Sequence, residues 1–267
     1  PGPSSRRTDR HRARGERAIV AARGNITESQ QFASLDTGRF FMRLQVESPA
    51  DRAEVERAIL PVTERYGMEW HLDEVARPLR TLVLASTAGH CVNDLLFRQR
   101  AGQLPVDIPL VLSNHGTLRD LVDFYGVPFE SLAVTNAAEK AAFERRVLEA
   151  VEEHDIELVV LARYMQILSP ELCEALAVGA STSTTRSSRA SSANPYRQAH
   201  ARGVKLIGAT AHFVTSDLDE GPIIEQNVVR VDHSRSVAEL VAIGQDEESR
   251  TLSQAVKWFA ERRVLAD

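Results

Sequence analysis

The sequence predicts an α/β protein in which a small N-terminal module precedes a larger domain with a mainly parallel sheet. Two observations predict this arrangement. From residue 79 onward, apolar runs of strand length alternate with helical patterns, which is typical of a parallel sheet covered by helices. Before residue 77 the order is strand, strand, helix and strand, which is most of a ferredoxin-like fold without its first strand and helix.

The N-terminal module is predicted from alternating residues and one helical pattern. The predicted elements are strands over 25–32, 39–47 and 68–75 and a helix from Pro49 to about Tyr66. Asp36-Thr37-Gly38 is predicted to be the turn that joins the first two strands into a hairpin. Arg77-Pro78 is predicted to be the linker to the larger domain.

The larger domain is predicted to be Rossmann-like. Its predicted strands are 81–85, 109–113, 156–162, 204–211 and 222–229, and its predicted helices are 91–100, 118–125, 138–154 and 236–263. The run from Ile156 to Ala162 is almost continuously apolar, which is typical of a strand buried on both faces. Because α/β proteins place their sites at the carboxyl ends of such strands, the loops that follow them hold the candidate residues.

Composition and charge narrow the classes of partner. The chain has 267 residues, of which 43% are hydrophobic and 26% charged, and its net charge is -5. These values are typical of a soluble globular protein and argue against a nucleic-acid or membrane partner. No apolar run approaches the length of a membrane span. The first seventeen residues are rich in arginine and lack an apolar segment, so they do not fit a secretory signal.

The two cysteines, Cys91 and Cys173, are far apart and show neither Cys-x-x-Cys nor Cys/His spacing. The sequence therefore predicts neither a disulfide framework nor a metal site. A reducing cytoplasm is the expected location.

The stretch from Leu206 to Gln226 carries the main candidate site. It is predicted to be strand, acidic loop and strand, with Asp217 and Asp219 in the loop and Gly221-Pro222 closing it. His212 lies at the exit of the first strand. An imidazole and a carboxylate are groups that take and give protons in catalysis. On local features alone, the acidic loop could equally be a solvated surface turn, and His212 could be a core or capping histidine.

Two other strand ends are candidates. Tyr164, Met165, Ile167 and Leu168 follow the predicted strand that ends at Ala162, and a core set and a ligand pocket fit them equally well. The turn over 86–90 leads into a helix but has a single glycine and no phosphate-binding motif, so it supports phosphate binding only weakly.

Three segments of the larger domain resemble formyltetrahydrofolate deformylases, relatives of the glycinamide ribonucleotide formyltransferases. They are STAGHCVNDLLFRQRAGQL, LARYMQILSP and GATAHFVTSDLDEGPIIEQ. The resemblance covers residues 24–179 and 194–264. It implies that water hydrolyses 10-formyltetrahydrofolate to tetrahydrofolate and formate without a cofactor, since the folate is the substrate. The formate would supply purine synthesis and balance the one-carbon folates.

The same resemblance implies roles for individual residues. None of these roles is that of a metal ligand. Asp219 matches the catalytic aspartate of the family, and His212 matches a histidine that supports the loop. The implied substrate-binding residues are Tyr164, Met165, Ile167, Leu168, Thr215 and Asp217. The related ribonucleotide formyltransferases carry a Gly- and Ser-rich turn at 86–90 for a substrate phosphate, so its absence favours water over an amine as the formyl acceptor.

In the N-terminal module, GNITESQQF and DTGRFFMRLQVE resemble the ACT domain that precedes the catalytic domain in these deformylases. The implied division is an ACT-type regulatory domain over 1–76, atypical over 1–23, and a formyltransferase-like catalytic domain over 79–267. The ACT resemblance implies an amino-acid effector and a homo-oligomer. A purely structural pairing module is the alternative.

Residues 180–193 interrupt the pattern of the larger domain. The rhythm of elements predicts a buried strand there, but the segment has no large apolar residue and contains Arg186 and Arg189, so the sequence predicts a loop. Deformylases carry Ile-Asn-Ile-His-His-Ser at this place. Codons for those six residues, read one base later, can encode Ser-Thr-Ser-Thr-Thr-Arg, which stands at 181–186. We therefore hypothesise that the segment is translated out of frame, with a natural Ser/Arg loop as the alternative.

The out-of-frame hypothesis has a functional consequence. The family's catalytic Asn and principal His have no counterpart in this chain, so the chain as written is expected to be nearly inactive. Two further functions are alternatives to hydrolysis: formyl transfer to an amine, and a catalytically dead protein that binds folate or an amino acid.

Overall fold

The structure is a computed structural model that describes residues 19–20, 23–75, 77–176, 180–184, 195–214 and 221–264. The chain divides between Arg77 and Pro78 into two compact units, and the second unit runs to Val264.

The first unit contains a hairpin and one helix. Strands β1 (Asn25–Ala33) and β2 (Phe40–Glu47) pair antiparallel, and helix α1 spans Arg52–Tyr66. Asp51 caps the start of α1, because its side chain accepts a hydrogen bond from the Glu54 N–H, and Gly67 ends it in the left-handed conformation. Ile19 and Val55 form the buried part of a small apolar cluster.

The predicted third strand of this unit, over 68–75, is wrong. The described residues there are irregular, although Met68, Trp70 and Leu72 are half-buried and alternate with exposed neighbours. The alternation therefore reports correctly which side chains are half-buried, and Leu72 packs against the apolar cluster. It does not establish backbone pairing, and a strand exists only where its N–H and C=O groups find a partner strand.

In the second unit, seven strands of the described chain form one sheet in the order β5-β4-β3-β6-β7-β8-β9. The strands are β3 (Leu79–Ala85), β4 (Val106–Ser113), β5 (Phe129–Ser131), β6 (Leu158–Ala162), β7 (Ala180–Thr184), β8 (Leu206–Phe213) and β9 (Ile223–Arg230). From β5 to β7 all neighbours are parallel, whereas β8 and β9 are antiparallel to their neighbours. The predicted α/β fold with a mainly parallel sheet is confirmed.

Helices of the described chain cover both faces of this sheet. They are α2 (His90–Arg100), α3 (Arg119–Phe124), α4 (Ala137–Glu153), α5 (Pro170–Leu176), α6 (Pro195–Ala201) and α7 (Val237–Ala260). On β3, Val83 and Ala85 pack in a cluster with residues of α2 and α7, while Leu82 and Leu84 pack in a cluster with residues of α4 and α5. This alternation explains why the strand is apolar at every position. No helix that the structure describes is both long and apolar enough to cross a membrane.

The predicted loop over 180–193 is wrong at its start, because Ala180–Thr184 is strand β7. Its backbone pairs with β6 on one side and β8 on the other. Residues without large side chains can form a strand here because both neighbouring strands offer hydrogen-bonding partners to the backbone. Arg186 and Arg189 follow this strand and lie outside the described residues.

Candidate active site

The sheet of the second unit changes the direction of its connections between β3 and β6. From β3 the chain goes to β4 on one side of the sheet, whereas β6 and β7 lie on the other side. Ala85, at the carboxyl end of β3, is in register with Ser113 of β4 and Ala162 of β6. α/β proteins bind ligands in the crevice at such a switch point.

A buried polar network joins the carboxyl ends of β3 and β4. The Ser86 hydroxyl donates to Oδ1 of Asn114 over 2.6 Å, and the Ser113 hydroxyl donates to the Ser86 carbonyl over 3.2 Å. All three side chains are buried. His115 is exposed, and its backbone N–H donates to the Ser113 hydroxyl. The network fixes the orientation of the Asn114 side chain at this end of the sheet.

The segment after β6 divides its side chains between the core and the surface. Tyr164 and Leu168 are buried in the apolar cluster of α4 and α5, and the Tyr164 ring stacks on Phe143 at 5.3 Å between centroids. Burial, with the nearby Glu144 charge, raises the pKa of Tyr164. Met165 and Ile167 are 66% and 63% exposed. Of the four candidate folate-pocket residues, Met165 and Ile167 therefore offer apolar side chains to a ligand.

His212 lies near the end of β8 and is 7% exposed. Its Nδ1 donates a hydrogen bond to the Phe213 carbonyl over 2.8 Å, since a carbonyl oxygen only accepts. In the register of the sheet, His212 stands opposite Thr182 of β7 and Ile223 of β9. The backbone of His212 thus lies between β7 and β9, the strand that follows the acidic loop.

Gly221 and Pro222 hold the end of the acidic loop against β8. The Phe213 N–H donates to the Pro222 carbonyl over 3.0 Å. A Cβ added to Gly221 would clash with the Phe213 carbonyl and lie 3.3 Å from Nδ1 of His212. Only glycine therefore fits this approach. The other loop candidates, Thr215, Asp217 and Asp219, lie outside the described residues.

Strand β7 stands at the place where the resemblance expects Ile-Asn-Ile-His-His-Ser. Its residues, Ala180–Thr184, include neither asparagine nor histidine. Ser183 is in register with Ala162 of β6 and Ala211 of β8. A serine or threonine hydroxyl near its ordinary pKa cannot act as an imidazole base at neutral pH. The strand position is kept, but the expected acid–base side chains are absent from it.

The structure also brings together a buried group that the sequence reasoning missed, which we call the Glu248 cluster: His90, Arg163, Tyr196 and Glu248. The Glu248 carboxylate lies 2.7 Å from Nε2 of His90 and 3.3 Å from Nε of Arg163, and it accepts from the Tyr196 hydroxyl over 3.0 Å. Glu248 is 3% exposed. A signal was present, because Glu248 lies four residues from Leu252 on the buried stripe of α7, where an acid is unusual.

Electrostatics keep the Glu248 carboxylate ionised despite its burial. Burial raises the pKa of Glu248, but the hydrogen bond from His90 and the charges of Arg163 and His90 outweigh it and hold the pKa below its ordinary value. Burial, followed by the Glu248 charge, raises the pKa of the neighbouring Cys91 thiol to about 12.

One group of the described residues has the spacing of a metal site. A ligand atom from each of His90, Cys91 and Glu248 lies within 4.8 Å of the others. The Arg163 guanidinium already pairs with Glu248, and the raised pKa of Cys91 disfavours the thiolate that a metal requires. We therefore assign the Glu248 cluster to hydrogen bonding within the protein rather than to a metal.

Comparisons with known proteins identify the family. The formyl transferase family model matches residues 79–256. A formyltetrahydrofolate deformylase of Corynebacterium sp. is 41% identical over 252 residues, which cover 92% of this chain and 87% of the relative. The solved deformylase of Burkholderia mallei superimposes with a TM-score of 0.90 at 43% identity and covers 96% of this chain and 92% of its own.

A glycinamide ribonucleotide transformylase of Symbiobacterium toebii is more distant. It superimposes with a TM-score of 0.63 at 27% identity and covers 75% of this chain and 95% of its own. The deformylases thus match this chain over both of its units, at higher identity. The chain belongs to the formyltetrahydrofolate deformylase family.

Proposed function

We propose that this protein hydrolyses 10-formyltetrahydrofolate to tetrahydrofolate and formate. The observation that carries this proposal is the extent of the match to deformylases, which covers 96% of the chain at a TM-score of 0.90. The transformylase covers 75% of the chain at a TM-score of 0.63. Formyl transfer to an amine is therefore the less favoured reaction.

The proposed reaction is a hydrolysis of an N-formyl group. Water adds to the formyl carbon, the bond between that carbon and N10 breaks, N10 takes up a proton, and formate leaves. The site must position the water, accept its proton, and donate hydrogen bonds to the oxyanion of the tetrahedral intermediate. Each of these tasks requires a suitably placed group at the carboxyl end of the sheet.

Asp219 is the proposed carboxylate of this site, and His212 supports the loop that carries it. An aspartate near its ordinary pKa is ionised at pH 7 and can orient water or an imidazolium. His212 is buried on the strand that lies between β7 and β9, and Gly221 packs against its neighbour Phe213. Met165 and Ile167 present the exposed apolar surface for the pterin. Thr215 and Asp217 are proposed to contact the substrate.

The residues at 180–185 determine how fast the chain as written is expected to hydrolyse 10-formyltetrahydrofolate. An acid or base contributes about 10²- to 10⁴-fold and an oxyanion donor about 10²- to 10³-fold, and such effects are not additive. A chain that lacks this Asn and His should therefore hydrolyse the substrate at least about 10²-fold more slowly than a chain that carries them.

Restoring the segment tests both the reaction and the site. The chain with Ile-Asn-Ile-His-His-Ser at 180–185 should release formate from 10-formyltetrahydrofolate, and Asp219→Asn in that chain should abolish most of the gain. Glu220→Gln, a change of the neighbouring acid, is the matched control and should retain the gain. A restored chain that folds, binds the folate and releases no formate would count against the assignment of the site.

A second candidate function, folate binding without chemistry, is favoured by the serines and threonines of β7. The unaltered chain should then bind 10-formyltetrahydrofolate by calorimetry without releasing formate. Resequencing the gene across codons 178–195 distinguishes an out-of-frame segment from a natural Ser/Arg loop. A frame that encodes the residues as written would remove the out-of-frame hypothesis.

We further propose an ACT-type role for the first unit, with an amino-acid effector, a homo-oligomer and a cytoplasmic location. The hairpin of β1 and β2 is paired on one edge only among the described residues, and Phe32 and Leu35 are 61% and 97% exposed. Such a surface can pair with a second copy. Light scattering with and without candidate amino acids tests the assembly, and a monomer at all concentrations would count against it.

A further inference from the structure

Strand β6 ends at a point where the alternation of its side chains breaks. Val160 and Ala162 pack in the apolar cluster that contains residues of α2 and α7, whereas Leu161 packs in the cluster that contains residues of α4 and α5. If the chain stayed extended, residue 164 would return to the side of α2 and α7. Tyr164 instead packs in the cluster of α4 and α5.

Arg163 is the residue at which this break occurs. Its φ of 58° is left-handed, a conformation that is disfavoured for a residue with a Cβ. Its Nε lies 3.3 Å from the Glu248 carboxylate of α7, the helix that contributes Leu252 to the cluster in which Ala162 packs. Arg163 and Ala162 are therefore directed to the same side of the sheet, and the chain turns over before the next residue.

We propose that Glu248 is a positioning residue for the folate. Its ion pair with Arg163 holds that residue in the left-handed conformation and so fixes the segment over 164–168, against which the pterin lies. This inference rests on the proposed function, because the folate is the ligand of that segment. Glu248 acts through Arg163 rather than on the formyl group.

The Glu248 carboxylate is itself held in place. One of its oxygens faces both His90 and Arg163, and the other accepts from the Tyr196 hydroxyl over 3.0 Å. A Cβ on Gly244 would clash with that hydroxyl, so glycine lets the tyrosine lie directly against α7. Partners from α2 and α6 thus fix the carboxylate, and the guanidinium that pairs with it has a fixed anchor.

Contacts on the other side of the sheet hold the rest of the segment. The Tyr164 ring stacks on Phe143 of α4, and Leu168 is buried in the same cluster. The Ser169 N–H donates to the Glu144 carboxylate over 2.8 Å. The segment is therefore anchored to α7 at its start and to α4 along its length.

The two side chains proposed to meet the pterin lie between these contacts. Met165 and Ile167 are exposed, and the chain from 163 to 169 forms neither helix nor strand, so no regular backbone pattern sets their directions. The backbone conformation of Arg163 sets the direction in which the segment leaves β6. Chains in which Arg163 leaves the left-handed region would present a different surface, and the affinity for the folate would fall with the fraction that stays competent.

The first test separates the conformation of residue 163 from its charge. Affinity for 10-formyltetrahydrofolate is measured by calorimetry on the full chain for the wild type, Arg163→Ala, Arg163→Gly and Asp155→Gly. Both changes at 163 remove the guanidinium, but glycine adopts a positive φ readily and alanine does not. Asp155→Gly places glycine at another left-handed position, exposed and with a φ of 49°, and is the matched control.

Arg163→Ala should bind the folate about tenfold more weakly than the wild type, because the left-handed conformation is no longer held. Arg163→Gly should recover most of that loss, and Asp155→Gly should bind as the wild type does. Equal affinities of Arg163→Ala and Arg163→Gly overturn the proposal.

The second test asks whether Glu248 acts through Arg163. Glu248→Gln alone should weaken folate binding about tenfold, and it should have no further effect when it is combined with Arg163→Gly. Tyr196→Phe removes a partner of the other carboxylate oxygen and leaves the pair with Arg163, so it should keep the wild-type affinity even where it lowers stability. An effect of Glu248→Gln that persists together with Arg163→Gly, or an equal loss in Tyr196→Phe, assigns Glu248 a structural role only and overturns the proposal.

Nitrogen-15 relaxation of the wild type gives a readout that requires neither folate nor a variant. The backbone amides of residues 164–166 should be as rigid as those of β6, and mobile amides there overturn the proposal. If a variant does not fold, this measurement and the remaining variants decide. A wild type that does not bind 10-formyltetrahydrofolate would remove the proposed substrate and leave the relaxation result standing, so the two failures are distinguishable.

Discussion

The Glu248 carboxylate stays ionised through its partners rather than through solvent. His90, Arg163 and Tyr196 each reach it from a different element. Removing one member of a buried pair leaves the other without compensation, which costs about 3 kcal/mol or more. The same cluster can therefore affect both the stability of the fold and the electrostatics of the crevice.

The contribution of Glu248 to stability should depend on pH. The pKa of Glu248 is lower in the folded state than in the unfolded state, where it is about 4.3. The contribution of Glu248 to stability is therefore fully present above the unfolded-state pKa and is lost as the pH falls through the folded-state pKa. The difference in unfolding free energy between the wild type and Glu248→Gln should be largest near neutral pH and shrink below about pH 4.

Urea unfolding at a series of pH values checks this expectation. The other titratable or charged groups that face Glu248 are His90, Arg163, Tyr196 and Cys91, and all four are present in both proteins. The comparison therefore reports the carboxylate together with its coupling to these groups. Asp246→Asn controls for net charge. A difference between wild type and Glu248→Gln that stays constant into acid would contradict the assignment.

Gly221 gives a prediction about the acidic loop. A Cβ at 221 would meet the Phe213 carbonyl, so Gly221→Ala must displace either the loop or the end of β8, which costs about 1–3 kcal/mol. Gly116→Ala is the matched control, because its Cβ would have its nearest contact at 3.8 Å. Urea midpoints compare the two variants. Equal midpoints would show that the loop accepts the methyl group without moving.

The local structure at a residue could be predicted from the sequence, whereas contacts with distant partners could not. The strand that carries His212 and the turn that contains Gly221 follow from local patterns. Glu248 was missed because its partner His90 is 158 positions away. The sequence around Tyr164 fits a core and a pocket equally well, and its burial and its stack on Phe143 place the ring in the core.

At the scale of elements, β7 shows how context forms a strand. Its sequence, ASTST, lacks the large apolar side chains that predict a buried strand, yet its backbone pairs on both sides. The surrounding strands can be recognised in the sequence because they are apolar at nearly every position, and they are the basis for predicting a parallel sheet. The strand over 180–184 was excluded because side-chain patterns carry no information about the partners available to the backbone.

Restoring Ile-Asn-Ile-His-His-Ser at 180–185 should stabilise the second unit. β6 is buried at every position, so isoleucines in the adjacent strand are expected to bury apolar surface worth about 1.5–3 kcal/mol each. Arg230→Ile, at an exposed position of the edge strand β9, controls for the strand propensity of isoleucine and should change stability little. Urea unfolding measures both. A restored chain no more stable than the original would contradict the expected burial.

At the scale of the whole molecule, the two units differ in how much core they contain. The buried cluster of the first unit consists of Ile19 and Val55, with half-buried residues around them. The second unit contains three apolar clusters, two of which pack on opposite faces of its sheet. Because small domains bury a smaller share of their surface, the first unit should be the less stable one.

The units should therefore lose their structure at different denaturant concentrations. Amide hydrogen exchange in increasing urea should release β1 and β2 before β3 and β6, since exchange reports the opening of each cooperative unit. The protein truncated to residues 78–264 should keep the later transition at the same midpoint. In contrast, residues 1–77 alone should show little cooperative unfolding by circular dichroism. A single transition shared by all four strands would mean that the units fold as one.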